Sequence, residues 1–305
     1  VIVGGAMVSG ALWGDRCSPV STSALLVSEL TKTDIFSNIK NMFRTAAIPT
    51  AVACVIYLVL GFTSSVSGDV PDLKAMFSAE FNLNPVTVIP AVVILVLSLF
   101  RVRTKFVLLA SLVTASVIGI AVQDMEILQT LKVLILGYEA KTEALSHMMN
   151  GGGLVSMLKS AAIVCLSSAY SGIFAATGLL GSLKEKIAKL GKRATPFGAT
   201  MITSALTSLI SCNQTLAIIL THQLCNGMEK DKSRAAINLE NTAVVISPMI
   251  PWSIAATVPL TSSGAPTSSI LIAVFLYILP IWSFINAIIR RRKDNKNEQN
   301  NKLHS

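Results

Sequence analysis

Carboxylates, amides and hydroxyls interrupt the apolar stretches of this chain in three places, each with groups suited to solvating a small ion. The first is Gly14-Asp15-Arg16-Cys17-Ser18-Pro19-Val20-Ser21-Thr22. Asp15 offers a full charge to a cation such as sodium, or a seat for a proton, because a carboxylate in a membrane break is costly unless it binds, titrates or pairs. Ser18, Ser21 and Thr22 offer oxygen ligands to a hard cation. Two plainer readings compete: Arg16 follows directly and can pair with Asp15, and Ser and Thr also join membrane helices. The second place is Asn213-Gln214-Thr215, whose amides accept from a cation or donate to a carboxylate, and equally serve as interhelical glue. The third runs from Glu240-Asn241-Thr242 to Ser247-Pro248. Here Glu240 is read as facing an outer aqueous vestibule near Arg234 in preference to titrating inside the break, while Asn241, Thr242 and Ser247 are assigned to the site.

The elements that must position these groups follow from composition. The chain has 305 residues, 52% hydrophobic and only 13% charged, with a mean hydropathy of +0.65, which is too little charge to clothe a soluble surface. The expected class is an all-α polytopic membrane protein. The net charge of +9 lies in short clusters between apolar runs and in the tail from Arg290, a placement explained by positive-inside topology and not by nucleic-acid binding. Five cysteines in no CxxC spacing and three scattered histidines give neither a disulfide framework nor a zinc site. Gly151-Gly152-Gly153 lacks the GK[ST] of a phosphate loop, and no HExxH is present, so the chain is not read as an enzyme and no cofactor is expected beyond transported sodium and protons.

A hydrocarbon core of about 30 Å needs roughly 20 apolar residues. The clearest spans are about 46–66, 85–100, 106–122, 154–182, 197–227 and 267–289. Loop charge alternates between them: Lys32, Lys40 and Arg44 against Asp34, then Asp69, Asp72 and Glu80 against Lys74, with a basic turn at Arg101–Lys105 and a basic loop at Lys184–Arg193. The positive-inside rule puts the basic loops and the tail 290–305 in the cytoplasm, in a prokaryotic plasma membrane. If 197–227 crosses outward and 267–289 returns, residues 235–260 must be a re-entrant hairpin. Residues 1–30 are its mirror image, opening to the cytoplasm. Two broken segments of opposite orientation, each with a Ser-Pro pair and each followed by one span, are the signature of an inverted-repeat secondary transporter with re-entrant hairpins and discontinuous helices. The membrane domain is expected over 1–289, and the opening Val1-Ile2-Val3 reads as mid-helix, as in a chain lacking its N-terminal helices.

Ser9-Gly10-Ala11-Leu12-Trp13-Gly14-Asp15, continuing through Ser18-Pro19-Val20-Ser21, resembles the SGA-x-x-GD-x-x-SP-x-S motif of the NhaC sodium/proton antiporter family. Gly152-Gly153-Leu154, Asn213-Gln214-x-Leu216 and Ser247-Pro248-Met249-Ile250-Pro251-Trp252 are similar to its later motifs in the same order, so the resemblance covers essentially the whole chain as the C-terminal two thirds of such a protein. It implies sodium/proton antiport by alternating access, a mobile domain holding the hairpins, a scaffold that forms a homodimer in the bilayer, and a coupling role for Asp15. This chain departs from the family at Thr22, Asn213 and Asn241, where family members often carry carboxylates. Exchange of a small organic acid or amino acid, as in malate/lactate antiporters, therefore stands as the alternative.

Overall fold

Helix termination explains the first break. In this computed structural model, which describes residues 1–63, 72–100, 102–177, 195–211, 213–262 and 264–303 together with 185–187, 189 and 191, helix α1 (Ile2–Arg16) is followed by α2 (Thr22–Thr31) and α3 (Ile35–Thr63). Pro19 has no N–H and keeps the residue before it out of the helical region, so α1 stops short of it. Ser21 restarts the chain as the N-cap of α2, its hydroxyl accepting from Ala24 N at 3.4 Å. Of the polar stretch read at 14–22, Gly14, Asp15 and Arg16 thus end α1, Thr22 begins α2, and residues 17–21 are the linker between the two helices.

The chain divides into two units, Val1–Ser64 with Leu166–Ser305, and Ser65–Cys165. The second unit contains α4 (Leu73–Ser78), α5 (Ile89–Leu99), α6 (Thr104–Val122), α7 (Ile127–Leu136) and α8 (Glu143–Met149). Within it α5 packs on α6, where Ser111 donates to Pro90 O, and no residue of α5 is buried. Glu80 gathers the polar ends: its carboxylate accepts from the Tyr138 hydroxyl and Lys141 N, each at 2.6 Å, and from Thr142 Oγ1 at 3.1 Å. The tyrosine hydroxyl, with the two loop donors, holds the Glu80 carboxyl below its ordinary range, while burial and then Glu80 push the Tyr138 phenol up to about 12. Helix α9 (Gly153–Ala176) carries the dividing line.

The first unit resumes with α10 (Pro196–Ser211), α11 (Gln214–Cys225), α12 (Lys232–Glu240), α13 (Ala243–Ile246), α14 (Ile254–Ser262) and α15 (Val274–Leu303). Two sequence expectations are corrected here. Residues 197–227 do not form one span. Helices α10 and α11 fold back on each other, with Thr207 bonded to Thr221 at 2.7 Å and Ser211 donating to Asn213 O at 3.0 Å, so the hairpin is at 196–225. The segment 235–260 is not a hairpin but a broken helix that runs on. Its α12 packs against α2 and its α14 against α1, so the two broken segments lie side by side in opposite directions, break against break. Val8 and Leu12 of α1 share a core with Val245, Ala256 and Leu260, and Val27 of α2 shares one with Ala236 and Leu239.

Three helical stretches, Ile35–Thr63, Thr104–Val122 and Thr267–Lys293, are long and apolar enough to cross a membrane. Of the other expected spans, 85–100 holds a shorter apolar helix and α9 occupies the described part of 154–182, while 64–71, 178–184, 188, 190 and 192–194 lie outside the described residues. Apolar helices gain little from each other in lipid, so close backbone approach and polar contacts must hold them. At Gly5 a Cβ would sit 2.8 Å from Ile272 O, which lets α1 press against the turn Thr267–Ile272. The Tyr57 hydroxyl of α3 fixes that junction, bonding Ile272 O at 2.6 Å, Gly5 O at 3.0 Å and Ser9 Oγ at 2.8 Å and accepting from Val274 N at 2.9 Å.

Candidate functional site

The two breaks meet at Arg16. This last residue of α1 is fully buried, and its guanidinium donates to Glu240 O at 3.2 Å, to Asn241 Oδ1 and to Thr45 Oγ1 at 3.4 Å. It lies in a cradle of neutral oxygens from the second break and α3. Asp15 takes a different partner: Ser23 Oγ donates to its Oδ2 at 3.2 Å, and Ser23 is bonded in turn to Ser21 at 2.9 Å. The Asp15–Arg16 pair that stood as the competing reading is absent among the described residues, because adjacent residues on a helix point to different faces.

Glu240 overturns its preferred reading. It is 0% exposed, and Arg234 is paired with Asp231 at 3.5 Å instead. Neither carboxylate oxygen has a hydrogen-bond partner, and no ion pair joins it to Arg16 among the described residues. A buried unpaired carboxylate costs several kcal/mol, so this position favours holding a proton or a cation.

The remaining candidates divide. Asn241 is buried and also donates to Ser283 Oγ of α15 at 2.9 Å. Thr242 is buried, donates to Asn238 O at 2.6 Å and accepts from Ser204 Oγ of the hairpin at 2.9 Å. Ser247 is buried beside Ser253 at 3.3 Å. Asn213 caps α11, accepting from Leu216 N at 2.8 Å, and Gln214 donates to Val244 O at 2.7 Å, so both brace the hairpin tip against the second break. Ser18 accepts from Val20 N at 3.3 Å within the linker. Thr22 is exposed at the start of α2, and Thr215 is half-buried in α11; neither is among the residues that hold the Arg16 guanidinium, Glu240, Asn241 and Thr45.

Sequence reasoning missed a stripe of hydroxyls. Thr200, Thr203, Ser204, Thr207, Ser208 and Ser211 all lie on the buried face of α10. They fall at i, i+3, i+4, i+7, i+8 and i+11, the pattern of one helix face, which was there to be read. The Ser208 hydroxyl is buried with no partner among the described residues. The base of the hairpin is also corrected. A cavity of about 640 Å³ is lined by Arg44 and Thr45 of α3, Arg234 and Asn238 of α12, and Arg290 and Arg291 of α15. Residues 226–234 therefore share one end of the unit with the start of α3 and the end of α15. His222 lines a neighbouring cavity with Lys32 and Lys232 at that same end. Thr45 both lines the larger cavity and touches Arg16, which puts the break just beneath it.

The model of the Na+/H+ antiporter family matches residues 10–289. The chain is 27% identical over 266 residues to the malate-2H(+)/Na(+)-lactate antiporter of Bacillus subtilis, covering 83% of this chain and 56% of that protein. It is 24% identical over 299 residues to the Na(+)/H(+) antiporter NhaC of Alkalihalophilus pseudofirmus, covering 93% and 64%, and 24% identical over 293 residues to the arginine/ornithine antiporter ArcD of Halobacterium salinarum, covering 91% and 60%. The chain thus spans between half and two thirds of the length of these relatives. No solved structure matches.

Proposed function

Since this chain belongs to the Na+/H+ antiporter family and is a multi-pass membrane protein of that kind, we propose that it exchanges sodium for protons by alternating access. The observation that carries this reading is Glu240, a buried carboxylate without hydrogen-bond partners at a helix break, where proton and sodium compete for one negative charge. Asn241, Thr242 and the hydroxyl stripe of α10 supply neutral oxygens nearby, and Asp15 with Ser21 and Ser23 offers a second, already partnered carboxylate. Sodium and protons are the only ions the reading calls on, with no bound cofactor and no enzymatic step. The antiporter sits in a prokaryotic plasma membrane as a homodimer with its tail in the cytoplasm.

The direct test reconstitutes the complete protein in liposomes and imposes a sodium gradient while an internal dye reports pH. Sodium-driven pH change is expected with no added solute. Movement only when malate, lactate or an amino acid is supplied would replace this reading with solute exchange. That second reading has its own support in the cavity lining, where Arg44, Arg234, Arg290 and Arg291 outnumber Glu229 and Asp231 and favour an anion, and in the relative that exchanges malate and lactate. The side of the cavity is checked by labelling. In a cysteine-free background, Glu229→Cys is expected to resist an impermeant thiol reagent in intact cells and to react in inverted vesicles, in keeping with a cytoplasmic basic end.

A further inference from the structure

Arg16 raises a question that antiport alone does not answer: a permanently charged guanidinium is fully buried against neutral oxygens, while the nearby Glu240 carboxylate has no hydrogen-bond partner. Two opposite charges buried side by side and left apart are stable only while the carboxylate carries something else. The guanidinium already binds the main-chain oxygen of Glu240, and it lies close enough to the carboxylate of that same residue for the two to act on each other electrostatically. Its resting acceptor, Asn241, is the next residue in the chain.

We propose that Arg16 is a tethered surrogate cation: it rests on Asn241 while Glu240 holds a proton or sodium, and swings to the Glu240 carboxylate when that cargo leaves. The proposal rests on the sodium/proton reading above and adds a positioning residue to it. Sodium release then never uncovers a bare buried charge, because an internal cation replaces the departing one. The cost is competition, since sodium must displace the guanidinium to bind. Arg16 thereby sets the sodium concentration at which the exchanger works, trading affinity for turnover.

Steady-state exchange in proteoliposomes of the complete protein tests this. Arg16→Gln removes the competitor, so the half-saturating sodium concentration is expected to fall about tenfold while the maximal rate also falls. Asn241→Ala removes the resting acceptor, leaves the guanidinium on the carboxylate for longer, and is expected to raise half-saturating sodium several-fold. Arg16→Lys keeps a charge on the tether and should stay within about twofold of the unaltered protein. A brace that merely ties the two breaks together predicts lower rates in all three with half-saturation unchanged or shifted in one direction. That result would overturn the proposal while leaving antiport standing. If Arg16→Gln fails to give monodisperse protein, a several-fold rise in half-saturating sodium in Asn241→Ala beside an almost unshifted Arg16→Lys decides alone, and its absence counts against the idea. Loss of all sodium-driven pH change in the unaltered protein would end both readings.

Discussion

The two breaks of the first unit are built from similar residues and finished differently. Between α1 and α2 the linker satisfies itself: Ser21 caps α2 and bonds Ser23, Ser23 serves Asp15, and Ser18 accepts from Val20 N. Between α12 and α13 the chain borrows from elsewhere, with Arg16 from α1, Ser204 from α10 and Ser283 from α15 supplying the contacts, and Glu240 left unserved. A self-contained break can hold its shape through a conformational change. A break assembled from three other helices changes whenever any of them moves. Under the proposed exchange the second is therefore the place expected to couple occupancy and conformation, whereas the resemblance at the level of motifs gives that part to Asp15.

The sharpest way to break this contrast is to neutralise each carboxylate in turn. Glu240→Gln is expected to lower sodium-driven exchange about 100-fold or more in proteoliposomes, with protein yield and monodispersity kept, because the amide holds shape without charge. Asp15→Asn retains an acceptor for Ser23 and should cost about tenfold or less. Equal losses would erase the distinction between the breaks, and a larger loss at Asp15 would reverse it. Next in size is the hairpin tip. Asn213→Ala removes the cap of α11 and is expected to lower stability by about 1 kcal/mol, read as an earlier thermal unfolding midpoint in detergent. The smallest effect belongs to the second unit. Glu80→Gln should leave exchange unchanged yet let Tyr138 ionise below its present value of about 12, visible in a tyrosinate absorbance titration. The sign is set by the shifts: Glu80 is lowered, so its contribution is present above the ordinary carboxylate range and fades as pH falls through its folded value. The contribution of Tyr138 is full below the ordinary phenol value and fades as pH rises through about 12.

Much of the architecture was legible in the residues. Pro19 and Ser21 mark the first break, and the polar run at 240–242 marks the second. The direction of the chain after the second break was not, because a polar interruption is the same whether the helix turns back or runs on. Length held the missing clue. Residues 197–227 number 31, which as one helix would extend about 46 Å across a core of about 30 Å. Asn213 near the middle, a good N-cap, then reads as the start of a second helix. The hydroxyl stripe was overlooked because Ser and Thr are nearly neutral in hydropathy and do not interrupt an apolar run. Asp15 was legible as a carboxylate in a break but its partner was not, since pairing Asp15 with Arg16 by adjacency ignores that a helix sends neighbours to different faces. Glu240 was misplaced for a related reason: its side was inferred from a span that does not exist.

Tyr57 gives the first unit its fulcrum. One hydroxyl clamps the early turns of α1 to the turn ahead of α15 through main-chain oxygens at Gly5 and Ile272 and the amide of Val274, and the bare surface of Gly5 leaves no slack at that joint. Those three elements must pivot together. A lever pinned at one end delivers its largest stroke at the other, and the far end of α1 is Arg16. A tilt of a few degrees at the tyrosine is thus magnified along α1 into a displacement at the guanidinium, and the clamp acts as gearing as much as glue.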